Sequence, residues 1–219
     1  MKSQNKTNFE HAPCSMLHVS CHDSGWKGFS LIELIVTISI SMVITAVVFF
    51  NYPSFNANLS IRRTADEIAL SVREAQAYGL GVREFKGFSV IGKFPGYGVH
   101  FDINSPKNFI LYADGGIDGS QNNQYDKGAG IGCGGQEETE CFRDYGLATQ
   151  DVLVELCGDS DCSLANLDIV FLRPNPTVII RSDSAPGNFS QSSIRVRAMG
   201  GEERVIKITA AGQISVEKP

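Results

Sequence analysis

The chain has 219 residues, 42% of them hydrophobic and 20% charged, with 22 Gly, 8 Pro and 6 Cys. That length fits one domain, or one domain with an appendage, and most of the chain reads as ordinary globular sequence. A formal net charge of −5 argues against broad, non-specific binding to nucleic acid or anionic membranes.

The first segment, residues 1–28, is mostly polar. Its Cys14, His18, Cys21 and His22 match no standard zinc spacing. From Phe29 to Phe50 every residue is apolar except Ser30, Glu33, Thr37, Ser39, Ser41 and Thr45. At about 1.5 Å per residue this run makes roughly 33 Å of helix, enough to cross a hydrocarbon core of about 30 Å. A secretory signal has a shorter apolar region and a small-residue cleavage site after it. Here Asn51, Tyr52 and Pro53 follow instead, so the segment reads as a retained anchor. Lys2, Lys6 and Lys27 precede it, and no charge follows until Arg62. That bias places the N-terminus in the cytoplasm and the rest outside.

Gly28-Phe29-Ser30-Leu31-Ile32-Glu33-Leu34, followed by the apolar run, resembles the cleavage and methylation segment of type IV prepilins and type II secretion pseudopilins. The close match covers residues 27 to 53, with a looser likeness along the helix to Gly79. The resemblance implies that a membrane-embedded prepilin peptidase cuts between Gly28 and Phe29 and N-methylates Phe29. The product would then polymerise through its helix, with other pilin or pseudopilin subunits and an inner-membrane assembly platform as partners. It implies a single-pass cytoplasmic-membrane precursor with an extracytoplasmic head, and afterwards a surface pilus or pseudopilus. The leader is longer than many in the family, and Met16 would be a more economical start than Met1.

Glu33 has a physical argument of its own. A carboxylate inside a membrane helix is costly and is a functional hypothesis by default. After cleavage it would lie about 6 Å from the new helix end. There the helix dipole and the free amine of Phe29 both favour negative charge. The amine of one subunit could pair with the carboxylate of its neighbour, which makes Glu33 an assembly residue.

Residues 54–80 continue as a helix. Ile61, Ala65, Ile68, Val72 and Ala75 recur at intervals of three and four, with Arg62, Arg63, Asp66, Glu67, Arg73 and Glu74 on the other side. Pro53 removes one helical hydrogen bond and tends to kink the chain, and Gly79 and Gly81 suggest the stop. Short β runs follow at Tyr97–Asp102, Phe109–Ala113, Val152–Leu156, Asp168–Leu172, Thr177–Arg181, Ser193–Ala198, Glu203–Ile208 and Gln213–Val216. Gly200-Gly201 mark a hairpin between the sixth and seventh. The fold expected is α+β, a long N-terminal helix packed on an antiparallel β-sheet head, in the manner of pilins. Its parts are a leader over 1–28, a transmembrane and polymerisation helix over 29–53, a stalk helix over 54–81 and a β-rich head over 82–219.

Cys133, Cys141, Cys157 and Cys162 fall in the segment placed outside the membrane, where disulfides persist. Three pairings are open, and the short loops favour Cys133–Cys141 and Cys157–Cys162, with a four-Cys zinc site as the competitor. In DGGIDGSQNNQYD, Asp114, Asp118, Ser120, Asn122 and Asp126 space oxygen ligands as calcium would need, though Asx-rich turns need no metal. No cofactor is required, and calcium is the ligand this loop could take. Arg195 and Arg197 share a strand face, with Arg204 and Lys207 on the next strand. They are the candidate contact for DNA, the less favoured partner, because phosphate binding needs several converging cations. No nucleophile–base set stands out, so the reading is a structural subunit and not an enzyme. The alternatives are a minor pilin binding DNA for uptake, or an anchored extracytoplasmic module of unrelated activity.

Overall fold

The computed structural model describes residues 28–81, 83–85, 95–115, 121–127, 133, 139–147, 150–174 and 178–219. The chain divides into two units, Met1–Ala46 and Val47–Pro219. One helix, α1 (Leu31–Leu80), belongs to both. Within the first unit its described residues are exposed on every side. It is long and apolar enough to cross a membrane, with a window of mean hydropathy 2.5.

Helical backbone runs without interruption through position 53. A proline deletes one bond of the i→i−4 ladder, and the turns on either side keep theirs. In the second unit the periodic face of α1 meets the head: Ile61, Ala65, Ile68, Val72 and Ala75 are all fully buried. The helix ends at Leu80, between the two glycines that marked its stop. A Cβ at Gly79 would lie 2.4 Å from the Phe171 carbonyl oxygen, so glycine is there for close helix–strand approach. The last turn closes at Gly81, whose N–H donates to the Ala77 carbonyl at 2.9 Å.

Nine strands follow among the described residues: β1 (Gly96–Asp102), β2 (Asn108–Asp114), β3 (Cys141–Gly146), β4 (Val152–Gly158), β5 (Asn166–Phe171), β6 (Val178–Arg181), β7 (Gln191–Arg197), β8 (Glu203–Thr209) and β9 (Ile214–Glu217). They form two antiparallel sheets, in the orders β3-β2-β1-β5-β6 and β4-β7-β8-β9. Each of the eight runs seen in the sequence coincides with a strand, with ends shifted by no more than two residues; Thr177 lies outside the described residues. The ninth, β3, escaped because CFRDYG shows little alternation; it is an edge strand with an exposed middle. Its register with β2 also shifts between Leu111 and Tyr112.

Side-chain alternation sorts the larger sheet into two faces. Tyr97, Val99 and Phe101 of β1 point into the core beside Ala113, Leu111 and Phe109 of β2 and Phe171, Ile169 and Leu167 of β5. Ile194, Val196, Ile206 and Ile208 of the smaller sheet join the same hydrophobic cluster, which also holds the α1 face. The other face of the larger sheet carries Gly98, His100, Tyr112 and Asp168. The β7–β8 hairpin turns at Gly201, whose φ of 84° suits glycine.

Candidate functional site

Gly28, Phe29 and Ser30 precede the helix without regular structure and are exposed. Nothing lies within 4 Å of a Cβ built on Gly28, and Phe29 is 83% exposed. A peptide bond in this setting is open to a peptidase. Ser30 starts the ladder, its carbonyl accepting from the Leu34 N–H at 3.1 Å. Glu33 lies in the first turn, where unpaired N–H groups give the helix end its partial positive charge.

Glu33, Thr37, Ser41 and Thr45 recur every four residues, so they share one side of the helix. The hydroxyls do not add unmet polar groups to that side. Thr37 donates to the Leu34 carbonyl at 2.9 Å, Ser41 to Thr37 at 2.8 Å and Thr45 to Ser41 at 2.7 Å. Ser39 likewise donates to Ile35 at 2.8 Å. Each hydroxyl is satisfied inside the helix, as an apolar medium demands. Glu33 is the one ionisable group between Phe29 and Phe50.

Among the described residues the cysteines are joined as Cys133–Cys141 and Cys157–Cys162, so these four are not gathered round a zinc. Among the described residues Glu155, Cys157 and Cys162 bring ligand atoms within 4.8 Å of one another. Both sulfurs are spent in the disulfide and Glu155 pairs with Arg195 at 3.0 Å, so this group offers no thiolate to a metal.

Asp118 and Ser120 lie outside the described residues. Asp114 is fully buried and accepts the N–H groups of Asn122 and Asn123 at 3.2 and 3.1 Å. The Asn122 side-chain amide donates to Asp126 at 2.9 Å. Asp114, Asn122 and Asp126 thus come together, with the Asp114 carboxylate accepting two backbone N–H groups and Asp126 accepting the Asn122 amide. Burial pushes the Asp114 carboxyl up to about 6, against the two N–H bonds that favour its charge.

The basic patch is also rearranged. Arg195 and Arg197 share a face of β7, and the β8 residues opposite them are Val205 and Glu203. Arg204 stands opposite Val196 and so on the other, buried face; it does not join the arginines. Glu203 takes that place, within 2.6 Å of Arg197 and 3.8 Å of Arg195, while Glu155 holds Arg195 from β4. Lys207 pairs with Glu217 at 2.7 Å. The face is a ladder of alternating charge, with carboxylates where converging phosphate ligands would be needed.

Two groupings went unread in the sequence. His100 Nδ1 lies 2.9 Å from Asp168 Oδ1, and burial raises the Asp168 carboxyl against the His100 contact. Asp168 was legible as one acidic residue inside NLDIVF, but its partner stands 68 positions away. The second gathers Glu74 and Tyr78 of α1 with Tyr145 and Arg143 of β3. Arg83 sits 3.9 Å above the Tyr78 ring. It fastens the end of α1 to an edge strand.

A protein-family model described as the prokaryotic N-terminal methylation motif matches residues 27–49. No curated protein and no solved structure matches the chain. The matched segment is the prepilin and pseudopilin signal, and it covers the open Gly28–Phe29 bond, Glu33 and the exposed apolar helix.

Proposed function

We infer from this signal that the chain is a precursor of a structural subunit, cut between Gly28 and Phe29 and assembled through α1 into a type IV pilus or type II secretion pseudopilus. One observation carries the reading: the methylation motif heads a helix whose apolar residues from Leu31 to Phe50 are exposed on all sides. Such a surface is stable only against lipid or other apolar helices. The membrane holds the subunit first, with the basic leader inside and the head outside. Sister subunits then replace the lipid. Prepilin peptidase and an inner-membrane assembly platform are the partners this sequence of events requires.

In the assembled bundle the new Phe29 amine of one subunit faces Glu33 of the next. Pairing the two lets both enter a low-dielectric interior, where either alone would be costly. No cofactor enters this reading. Calcium at the Asp114 loop would share the Asp114 carboxylate with the Asn122 and Asn123 N–H groups, which weakens its claim on those oxygens. Calorimetric titration of the full chain in micelles, with heat expected from dilution alone, tests that point.

The main test is the intact mass of the chain after co-expression with a prepilin peptidase. The expected product begins at Phe29 and carries one added methyl group. A product beginning elsewhere, or no cleavage at all, overturns the processing step. Glu33→Ala should be cleaved normally yet fail to enter filaments; normal incorporation would remove the charge-pair argument.

A further inference from the structure

Residues 121–127 cross the outer face of the five-stranded sheet, on the side away from the helix-packed core. Three carboxylates rise from the sheet to meet them. Asp114, at the end of β2, accepts the Asn122 and Asn123 N–H groups at 3.2 and 3.1 Å. Asp168 of β5 accepts the Tyr125 N–H at 3.3 Å. Glu140, just before β3, accepts the Asp126 N–H at 2.7 Å and that of Gly115 at 3.2 Å. All three acids are buried. Arg181 of β6 grips the segment from the far edge by donating to the Asn122 carbonyl at 2.8 Å.

What the segment covers is a polar site rather than apolar core. The Tyr125 ring stands 5.1 Å from His100 and 5.4 Å from Tyr112. Beneath it lies the His100–Asp168 pair. Beside it opens a cleft of about 720 Å³ whose lining includes His100, Ile110, Tyr125, Lys127 and Asp144. Tyr125 and Lys127 are therefore one wall of that cleft, and moving the segment both reshapes the cleft and uncovers His100.

We propose that residues 121–127 are a proton-coupled strap, held over the His100–Asp168 pair by Asp114, Glu140 and Asp168, which closes more tightly when the carboxylate cluster takes up a proton. The charge census is the basis. Among the described residues, closing gathers Asp126 with Asp114, Glu140 and Asp168, which Arg181 approaches from β6 and His100 from β1. Asp183, bonded to the Gln124 amide, adds a further negative charge near enough to raise the Asp168 carboxyl, and Lys127 stands exposed on the cleft wall. The Tyr112 hydroxyl is buried with the acids and is itself pushed well above its usual range by that burial. Like charges confined together at low dielectric favour binding a proton.

The sign follows from Asp114. With the strap open and the carboxyl in water its ordinary value is 3.8; closed, it rises to about 6. A carboxyl raised on closing adds its full stabilisation below the lower value, loses it as pH climbs between the two, and adds none above about 6. The closing equilibrium therefore falls about a hundredfold across that window.

Amide hydrogen exchange on the full chain in detergent micelles tests this, each rate being divided by that of the unstructured peptide at the same pH. Protection of the Asn122, Asn123, Tyr125 and Asp126 amides should fall by about a hundredfold from pH 4 to pH 6.5. Leu111 in β2 should hold constant. The Asp114 carboxyl carbon, followed by NMR, should titrate near 6. Asp114→Asn should flatten the pH dependence, and the carbon titration stands independently if that variant loses the strap. Protection that is flat or rises with pH in the unaltered chain, or an Asp114 carbon titrating near 4, overturns the proposal.

Discussion

Glu74 sits on α1 where Tyr78 and Tyr145 both donate hydroxyl hydrogens to its carboxylate, at 2.5 and 2.6 Å. Burial works to raise its carboxyl, but the Tyr145 and Tyr78 bonds, helped by Arg143 and Arg83, outweigh it and leave it below 4.5. A depressed carboxyl contributes stability above its unfolded value and loses it as pH falls through the folded one. Acidification below about 4.5 should therefore loosen the end of α1 from β3, seen as rising proteolysis near residue 81. Glu74→Ala should cost about 1 kcal/mol and remove that acid sensitivity, because both phenols can turn to water. Urea melts at pH 7 and pH 4 would check both statements. None of this was readable at the residue scale, since Glu74 in the sequence is one more polar position on an amphipathic helix. Glu33 was readable, because a carboxylate in an apolar run has no ordinary explanation.

At the scale of elements, α1 and β5 meet through Gly79 and Phe171 with no room for a side chain. Gly79→Ala should force the two apart and destabilise the head by about 1–3 kcal/mol. That would lower the melting temperature by several degrees for a chain of this size. The same change in an exposed helix would stabilise, so the sign separates close packing from propensity. The sequence read Gly79 with Gly81 as the helix stop, which α1 obeys at Leu80, but the close approach to Phe171 was not visible in it. Strand positions were legible wherever a buried face produced alternation, as in QSSIRVR and ERVIKIT. They were illegible in β3, where Arg143 and Asp144 stand exposed at the sheet edge and Cys141 is fixed by its disulfide.

At the scale of the molecule, the two units answer to different surroundings. Residues 29–50 are exposed along their whole length, whereas the second unit has its own core drawn from α1 and both sheets. A chain cut to residues 54–219 should therefore fold in detergent-free buffer, remain monomeric and melt in one cooperative transition. Size-exclusion chromatography and circular dichroism would show this, and the full chain should need detergent. The loss of Ile61, Ala65 or Ile68 should undo it: Ile68→Ala should cost about 2–5 kcal/mol.

The sequence by itself determined the processing signal, the apolar helix, its amphipathic continuation and the α+β class. All of these are written in residue order, as a local motif or as a period of 3.6 or 2. Only the tertiary structure decided that the strands form two sheets, that Glu203 and Glu155 neutralise the arginines of β7, and that Asp114, Glu140 and Asp168 converge on one strap. Those outcomes depend on register between strands far apart in the chain. A single-residue slip would turn each of these side chains to the opposite face.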